Sequence, residues 1–134
     1  RELPISRRKG FSKTVLGGAL TKAGIVYRHE KQLGSPRTIR HRLREDGNYS
    51  RFFREFNRHL IEQLTLLETL TEELKGNVAL MCYEKNHEEC HRRSVADALA
   101  ELLGKTPIHL GVDDHARKAS ETARSYPRQG VSAT

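Results

Sequence analysis

The chain has 134 residues, which is enough for one domain and too few for two of ordinary size. Only 36% of the residues are apolar and there is no Trp, so we expect a small core built from Leu, Val, Ala and Phe. Two cysteines, no signal peptide and no long apolar run exclude a disulfide-rich secreted domain and a membrane-spanning one. The same features predict a reducing, cytoplasmic setting.

The formal net charge of +7 attracts polyanions over the whole surface. Nucleic acid and phosphate-bearing compounds are the partners that such a charge favours. Solubility alone explains the charge equally well.

The first elements in chain order are a basic loop, a helix and a strand. Arg1 to Pro4 shows no start signal, which suggests a truncated chain. After the basic loop at residues 6–13, Ser12 can cap a helix that Gly24 ends. Ile25–Tyr27 then reads as a short strand, with His29 just past its end.

An arginine-rich helix and a long amphipathic helix are predicted next. Residues 33–37 form a turn, and residues 38–44 follow as a short exposed helix. The apolar spacing over residues 49–75 predicts one long helix, which Gly76 and Asn77 end. Its inner face is expected to hold Phe52, Phe53, Phe56, Leu60, Leu64, Leu67, Leu70 and Leu74.

The segment that follows carries the most unusual chemistry. Val78–Cys82 is an unbroken apolar run, typical of a strand buried on both faces, and Glu84 lies at its tip. Apolar spacing predicts a helix from about His91 to Leu103, and a last strand at Ile108–Leu110. From residue 111 the apolar pattern fades, so residues 111–134 are predicted to be a weakly structured tail.

Helices and strands therefore alternate along residues 1–110. This order predicts a single α/β domain with a small, mainly parallel sheet flanked by helices, a Rossmann-like three-layer arrangement. Such sheets bind ligands where the carboxyl ends of their strands meet. The candidate site lies at that edge.

The candidate catalytic residues are Glu84 and His29, which could exchange protons, and Cys90, a thiol at a helix start where the dipole favours a thiolate. Cations beside them would hold an anion. The candidate anion-binding residues are Arg7, Arg8, Lys13, Arg37, His91 and Arg92.

Each of these residues also has a structural explanation. Cys82 fits a buried structural thiol, and a small residue such as Cys90 suits a helix start whatever its chemistry. Glu84 could pair with an arginine, His29 could hydrogen-bond the loop, and the arginines of residues 37–44 could form a solvated face.

A metal site is the less favoured alternative. Cys82, Cys90, His91 and His87 supply enough ligands for zinc, but seven residues separate the cysteines and Cys82 has aliphatic neighbours. No Walker or dinucleotide fingerprint is present, and Ala96 stands where a cysteine phosphatase loop would need arginine. We therefore predict no metal and no cofactor.

Several motifs nevertheless occur together in a recognisable order. They are Ser6–Lys13 (SRRKGFSK), Gly24–His29 (GIVYRH), Leu33–Arg37 (LGSPR), Leu80–Glu84 (LMCYE) and Cys90–Arg92 (CHR). With them, residues 1–110 resemble the domain of unknown function 488 family of bacterial and archaeal proteins. The resemblance implies an α/β fold whose first strands precede Arg1, and it names no reaction.

Three functions follow from this reading. The preferred one is an intracellular anion-binding domain, with the question of catalysis on a phosphate-bearing or nucleic-acid substrate left open. The alternatives are a non-catalytic nucleic-acid-binding module and a thiol-dependent redox or transfer protein that uses Cys90. The anionic partner would be a nucleotide, a nucleic acid or another phosphate compound, and no membrane is expected to take part.

Overall fold

The computed structural model describes residues 8–111, and over that range it is helical. The helices are α1 (Lys13–Lys22), α2 (Arg37–Asp46), α3 (Tyr49–Glu62), α4 (Leu64–Glu73) and α5 (Arg92–Leu103). Two short 3₁₀ turns, Lys31–Leu33 and His87–Glu89, precede α2 and α5 respectively. Residue 111 has no regular structure, and the rest of the predicted tail lies outside the described residues.

The predicted α/β fold is wrong, because no residue between 8 and 111 belongs to a β-strand. The three predicted strands, Ile25–Tyr27, Val78–Cys82 and Ile108–Leu110, have no regular secondary structure. Their apolar side chains are largely exposed, as Val26 at 92% and Met81 at 57% illustrate. The parallel sheet and the Rossmann-like layers are therefore absent from the described part of the chain.

The physical reason for the error is that a short apolar run satisfies only half of what a strand requires. It supplies side chains that a sheet could bury, but the backbone N–H and C=O groups also need a neighbouring strand. The periodicity of a sequence does not indicate whether such a neighbouring strand is present.

The start of α3 shows how local chemistry places the central helices. Gly47 adopts φ 63° and its N–H donates to the Leu43 carbonyl at 2.8 Å, which ends α2 in a left-handed turn. The side chain of Asn48 then accepts the backbone N–H of Arg51 at 2.9 Å and caps α3. The result is a helical hairpin of α2 and α3.

The helix predicted over residues 49–75 is two helices that meet at Gln63. This residue has φ −99° and ψ 15°, and its N–H donates to the Leu60 carbonyl at 3.0 Å, three residues back. The apolar pattern continues across the break, since Leu60, Leu67 and Leu70 are all buried. Periodicity therefore gave no sign of the interruption.

The core lies between α3, α4 and α5. Its buried residues are Phe56, Leu60, Leu67, Leu70, Val95 and Leu99. Helix α4 packs against α5, and α2 packs against α3, whereas α1 buries no residue. The small core predicted from composition is confirmed.

Membrane insertion has no support among the helices of residues 8–111. None of them combines the length and the apolar character needed to cross a bilayer.

Candidate functional site

Two cysteines and a histidine meet at the start of α5. The sulfur atoms of Cys82 and Cys90 and a ring nitrogen of His91 all lie within 4.8 Å of one another. Cys90 is 1% exposed, His91 is 9% exposed and Cys82 is half-buried. We call this group the Cys82/Cys90/His91 cluster.

A tight turn brings the two cysteines together. The side chain of Asn86 accepts the N–H of Glu88 at 3.0 Å and starts the 3₁₀ turn. The N–H of Cys90 then donates to the His87 carbonyl at 3.1 Å and ends it. The chain is thereby folded back, so that Cys90 returns to the neighbourhood of Cys82.

Arg92 holds the other side of the same loop. Its guanidinium donates to the Glu84 carbonyl and, at 3.1 Å, to the Lys85 carbonyl. Because these carbonyls lie just after Cys82, the first turn of α5 is tied to the segment that carries that thiol. Arg92 is one of the predicted anion-binding residues, and in the structure its guanidinium contacts backbone carbonyls.

The sulfur of Cys90 accepts the backbone N–H of Arg92, two positions further along the chain, with a nitrogen–sulfur distance of 3.5 Å. Hydrogen bonds of this kind stabilise the negative charge of a thiolate.

The imidazole of His91 is held between the thiols and the core. Its ring packs edge-on against Phe56, with ring centres 5.2 Å apart and an interplanar angle of 68°. The sulfur of Cys82 is 3.9 Å from Nδ1 and 4.0 Å from Nε2, so it faces both nitrogens equally. Packing against α3 therefore fixes the position of this ring.

The two thiols titrate as a pair. The hydrogen bond from Cys90, followed by that from His91, lowers the pKa of Cys82. Sharing of the proton with Cys82, together with burial, raises the pKa of Cys90. The pair therefore loses its first proton easily, from Cys82, and its second with difficulty.

We expect iodoacetamide to modify Cys82 before Cys90 in the reduced protein at neutral pH. Cys82 is the better exposed thiol. Its lowered pKa keeps it a thiolate at pH values below about 8.5, the ordinary pKa of a free cysteine. One unit of pKa difference already changes the thiolate population about tenfold. Peptide mass spectrometry after brief labelling measures the ratio, and faster labelling of Cys90 would contradict this order.

The structure places the other predicted catalytic residues as follows. Glu84 is exposed and lines a shallow cleft of about 440 Å³ together with Lys85, His87 and Leu110. His29 is half-buried next to Arg28, which pairs with Glu73 at the end of α4 at 2.6 Å.

The predicted anion-binding residues are spread over several elements. Arg8 and Lys13 are exposed near the start of α1, and Arg37 is exposed at the start of α2, where it donates to His41 at 3.3 Å. Arg7 lies outside the described residues. Only Cys90, His91, Arg92 and the backbone of Glu84 are brought together at the start of α5.

Cys82 and Phe56 are not among the predicted site residues. The less favoured zinc alternative did group Cys82 with Cys90 and His91, but the expectation that Cys82 ends a buried strand weighed against it. A signal was present in Asn86, a turn-forming residue between the two cysteines. Phe56 lies far from the cluster in sequence and gave no comparable signal.

A second feature is the outer surface of the α2–α3 hairpin. Residues 37–58 hold seven arginines and three acidic residues. Arg42 pairs with Glu55 at 2.7 Å and Arg51 with Asp46 at 2.5 Å. These ion pairs involve two of the seven arginines and two of the three acidic residues.

Four exposed arginines of the hairpin remain. They are Arg37, Arg44, Arg54 and Arg58, which we call the basic hairpin face. Within residues 8–111 no ion pair neutralises any of the four. On α3, Arg54 and Arg58 lie opposite the side that buries Phe56.

Comparison with known proteins adds one finding. A family model described as a domain of unknown function, DUF488, matches residues 1–99. Searches of curated proteins and of solved structures gave no match. Because the matched residues make up well over half of the chain, the chain belongs to the DUF488 family.

Proposed function

We propose that the protein binds a polyanion through the basic hairpin face and that nucleic acid is the class of partner. The observation that supports this proposal is that the two helices of one hairpin carry four exposed arginines without acidic partners among the described residues. The cytoplasmic setting predicted from the sequence belongs to the same proposal.

The spacing of these arginines suits a phosphate backbone. A helix rises 1.5 Å per residue, so Arg37 and Arg44 are separated by about 10 Å along α2. That separation corresponds to about three phosphates of one DNA strand, which are 3.4 Å apart along the helix axis. Arg54 and Arg58 lie about 6 Å apart along α3 by the same measure.

Such contacts favour binding that does not depend on base sequence. Guanidinium groups pair with phosphate oxygens in a bidentate manner, and phosphate contacts carry no sequence information. We therefore expect duplex and single-stranded DNA to bind, with affinities that fall steeply as salt increases.

Catalysis is not part of this proposal. The predicted acid and base, Glu84 and His29, belong to different segments, and the predicted nucleophile Cys90 is 1% exposed. The cluster at α5 supports a different inference, which is developed below.

The test is fluorescence anisotropy with labelled duplex and single-stranded oligonucleotides over a range of NaCl concentrations. In a variant with Arg37→Ala, Arg44→Ala, Arg54→Ala and Arg58→Ala, we expect the slope of log K against log salt to become shallower. Each lost phosphate contact on duplex DNA removes about 0.9 from that slope, so the full change is about 3.6.

A matched control removes the same charge elsewhere. The exposed residues Lys13, Lys22, Lys75 and Lys105 lie outside the hairpin, and replacing all four by alanine lowers the formal charge equally. We expect this variant to keep most of the wild-type slope. Equal losses in both variants would attribute binding to net charge alone, and absence of wild-type binding at low salt would overturn the proposal.

A further inference from the structure

We propose that Cys82, Cys90 and His91 form a binding site for a thiophilic divalent metal ion, with Zn²⁺ the best match. This inference reverses the expectation of no metal that was drawn from the spacing of the cysteines. It rests on the geometry around the start of α5 and is independent of the proposed nucleic-acid binding.

The distances are close to those of a bound site. Zn–S bonds of about 2.3 Å and Zn–N bonds of about 2.0–2.1 Å place the ligand atoms of a tetrahedral site about 3.5–3.8 Å apart. In the structure the three ligand atoms are within 4.8 Å of one another, and the Cys82 sulfur is already 3.9 Å from His91 Nδ1. Coordination therefore requires a contraction of at most about 1.3 Å and a small rotation of the ring.

Two of the ligands are held firmly and the third can adjust. Cys90 and His91 are buried at the start of α5, and the ring of His91 packs against Phe56. Cys82 lies outside regular secondary structure and is half-buried. Cys82 can therefore approach the other two ligands without any movement of α5, and rotation of the Cys90 and His91 side chains adjusts the distance between those two.

The backbone also supports two thiolate ligands. The sulfur of Cys90 accepts the backbone N–H of Arg92 at 3.5 Å, and the backbone at Glu84 favours the thiolate of Cys82. Outer contacts of this kind orient metal ligands and offset their charge. Soft thiolates beside an imidazole select zinc or another thiophilic ion over magnesium or calcium.

The long spacing of the cysteines is explained by the fold. In a C-x-x-C knuckle a single turn brings both sulfurs together, whereas here the 3₁₀ turn His87–Glu89 closes a longer loop. Arg92 fastens that loop through the carbonyls of Glu84 and Lys85. The sequence distance is thus compatible with a short spatial distance.

The cluster supplies three protein ligands among the described residues. Three ligands leave the fourth tetrahedral position to water or to an added ligand, as in catalytic zinc sites. The site is therefore open, with the fourth position on the side of the half-buried Cys82.

The primary test uses Co²⁺ as a spectroscopic substitute for Zn²⁺ with the full chain under reducing conditions. We expect one equivalent of Co²⁺ to produce thiolate-to-cobalt charge-transfer absorption in the near ultraviolet and intense visible bands of tetrahedral Co²⁺. Addition of Zn²⁺ should abolish both. A weak octahedral spectrum without charge-transfer absorption would overturn the proposal without any variant.

Substitutions test whether the ion binds at the Cys82/Cys90/His91 cluster. We expect Cys82→Ser, at the least buried ligand, to weaken Zn²⁺ binding by more than the 10- to 100-fold that is typical of outer-shell changes. The control is His41→Gln, which removes an exposed histidine of α2 and should leave the affinity unchanged. Zn²⁺ binding that is unchanged in Cys82→Ser, or lost in His41→Gln, would place the ion elsewhere.

The proposals of nucleic-acid binding and of metal binding can be tested independently of each other. The variant that lacks the four arginines of the basic hairpin face should bind Zn²⁺ like the wild type, and Cys82→Ser should keep the salt-dependent binding of oligonucleotides. Loss of Zn²⁺ binding in the arginine variant would contradict the location of the metal at the start of α5.

Discussion

Replacing Phe56 by alanine is expected to lower the free energy of unfolding by about 3–5 kcal/mol. The side chain is 0% exposed, stacks on Phe52 with ring centres 6.2 Å apart and contacts the ring of His91. Removing the ring leaves a cavity where α3 meets α5, and the surrounding helices can close it only in part. Urea denaturation followed by circular dichroism measures the change.

The control for this substitution is Phe11→Ala. Phe11 is 45% exposed and lies beneath the guanidinium of Arg8, at 5.2 Å from the ring centre. We expect a loss of at most about 1 kcal/mol, the size of an exposed cation–π contact. Equal losses for Phe11 and Phe56 would contradict the assignment of Phe56 to the core.

A comparable loss is expected for Leu67→Ala, at about 2–5 kcal/mol. Leu67 is 2% exposed and belongs to the buried cluster shared by α3, α4 and α5. The total stability of a small domain is about 5–15 kcal/mol, so the variant should unfold at a much lower urea concentration.

Leu64→Ala provides the matched comparison within the same helix. Leu64 lies three residues before Leu67 but is 47% exposed, so the same substitution should change stability by no more than about 0.5 kcal/mol. Because both variants remove the same side chain from the first five residues of α4, the difference reports mainly burial. A reversed order would mean that α4 presents the opposite face to α5.

The helical elements could be predicted from sequence because their determinants are local. Helix α5 was expected from about His91 to Leu103 and is observed at Arg92–Leu103. Its buried residues Val95 and Leu99 are separated by one helical turn. The arginine-rich helix was likewise expected and is confirmed as α2.

The absence of the sheet could not be predicted from the local sequence pattern. Val78–Cys82 carries the apolar residues of a buried strand, yet in the structure Val78 is 50% exposed. Whether such a segment becomes a strand depends on hydrogen bonds to another segment, and those bonds leave no mark in the local pattern.

The candidate site was predicted in part. Cys90, His91 and Arg92 were expected at a helix start, and α5 begins at Arg92 with His91 at its N-cap, while their roles in a site remain predictions. Their contact with Cys82 depends on the turn at Asn86 and on packing against Phe56, which are tertiary properties. The acid–base pairing of Glu84 with His29 remains a prediction. The sheet edge from which it was argued is absent from residues 8–111.

Two pairs of helices that are neighbours in sequence pack against each other, and this bears on how the chain folds. Helices α2 and α3 form one such pair, and α4 and α5 form another. Contacts between segments that are close in sequence cost little loop-closure entropy, so domains of this kind cross their folding barrier in microseconds to milliseconds. During synthesis the α2–α3 hairpin can therefore form before α5 has left the ribosome.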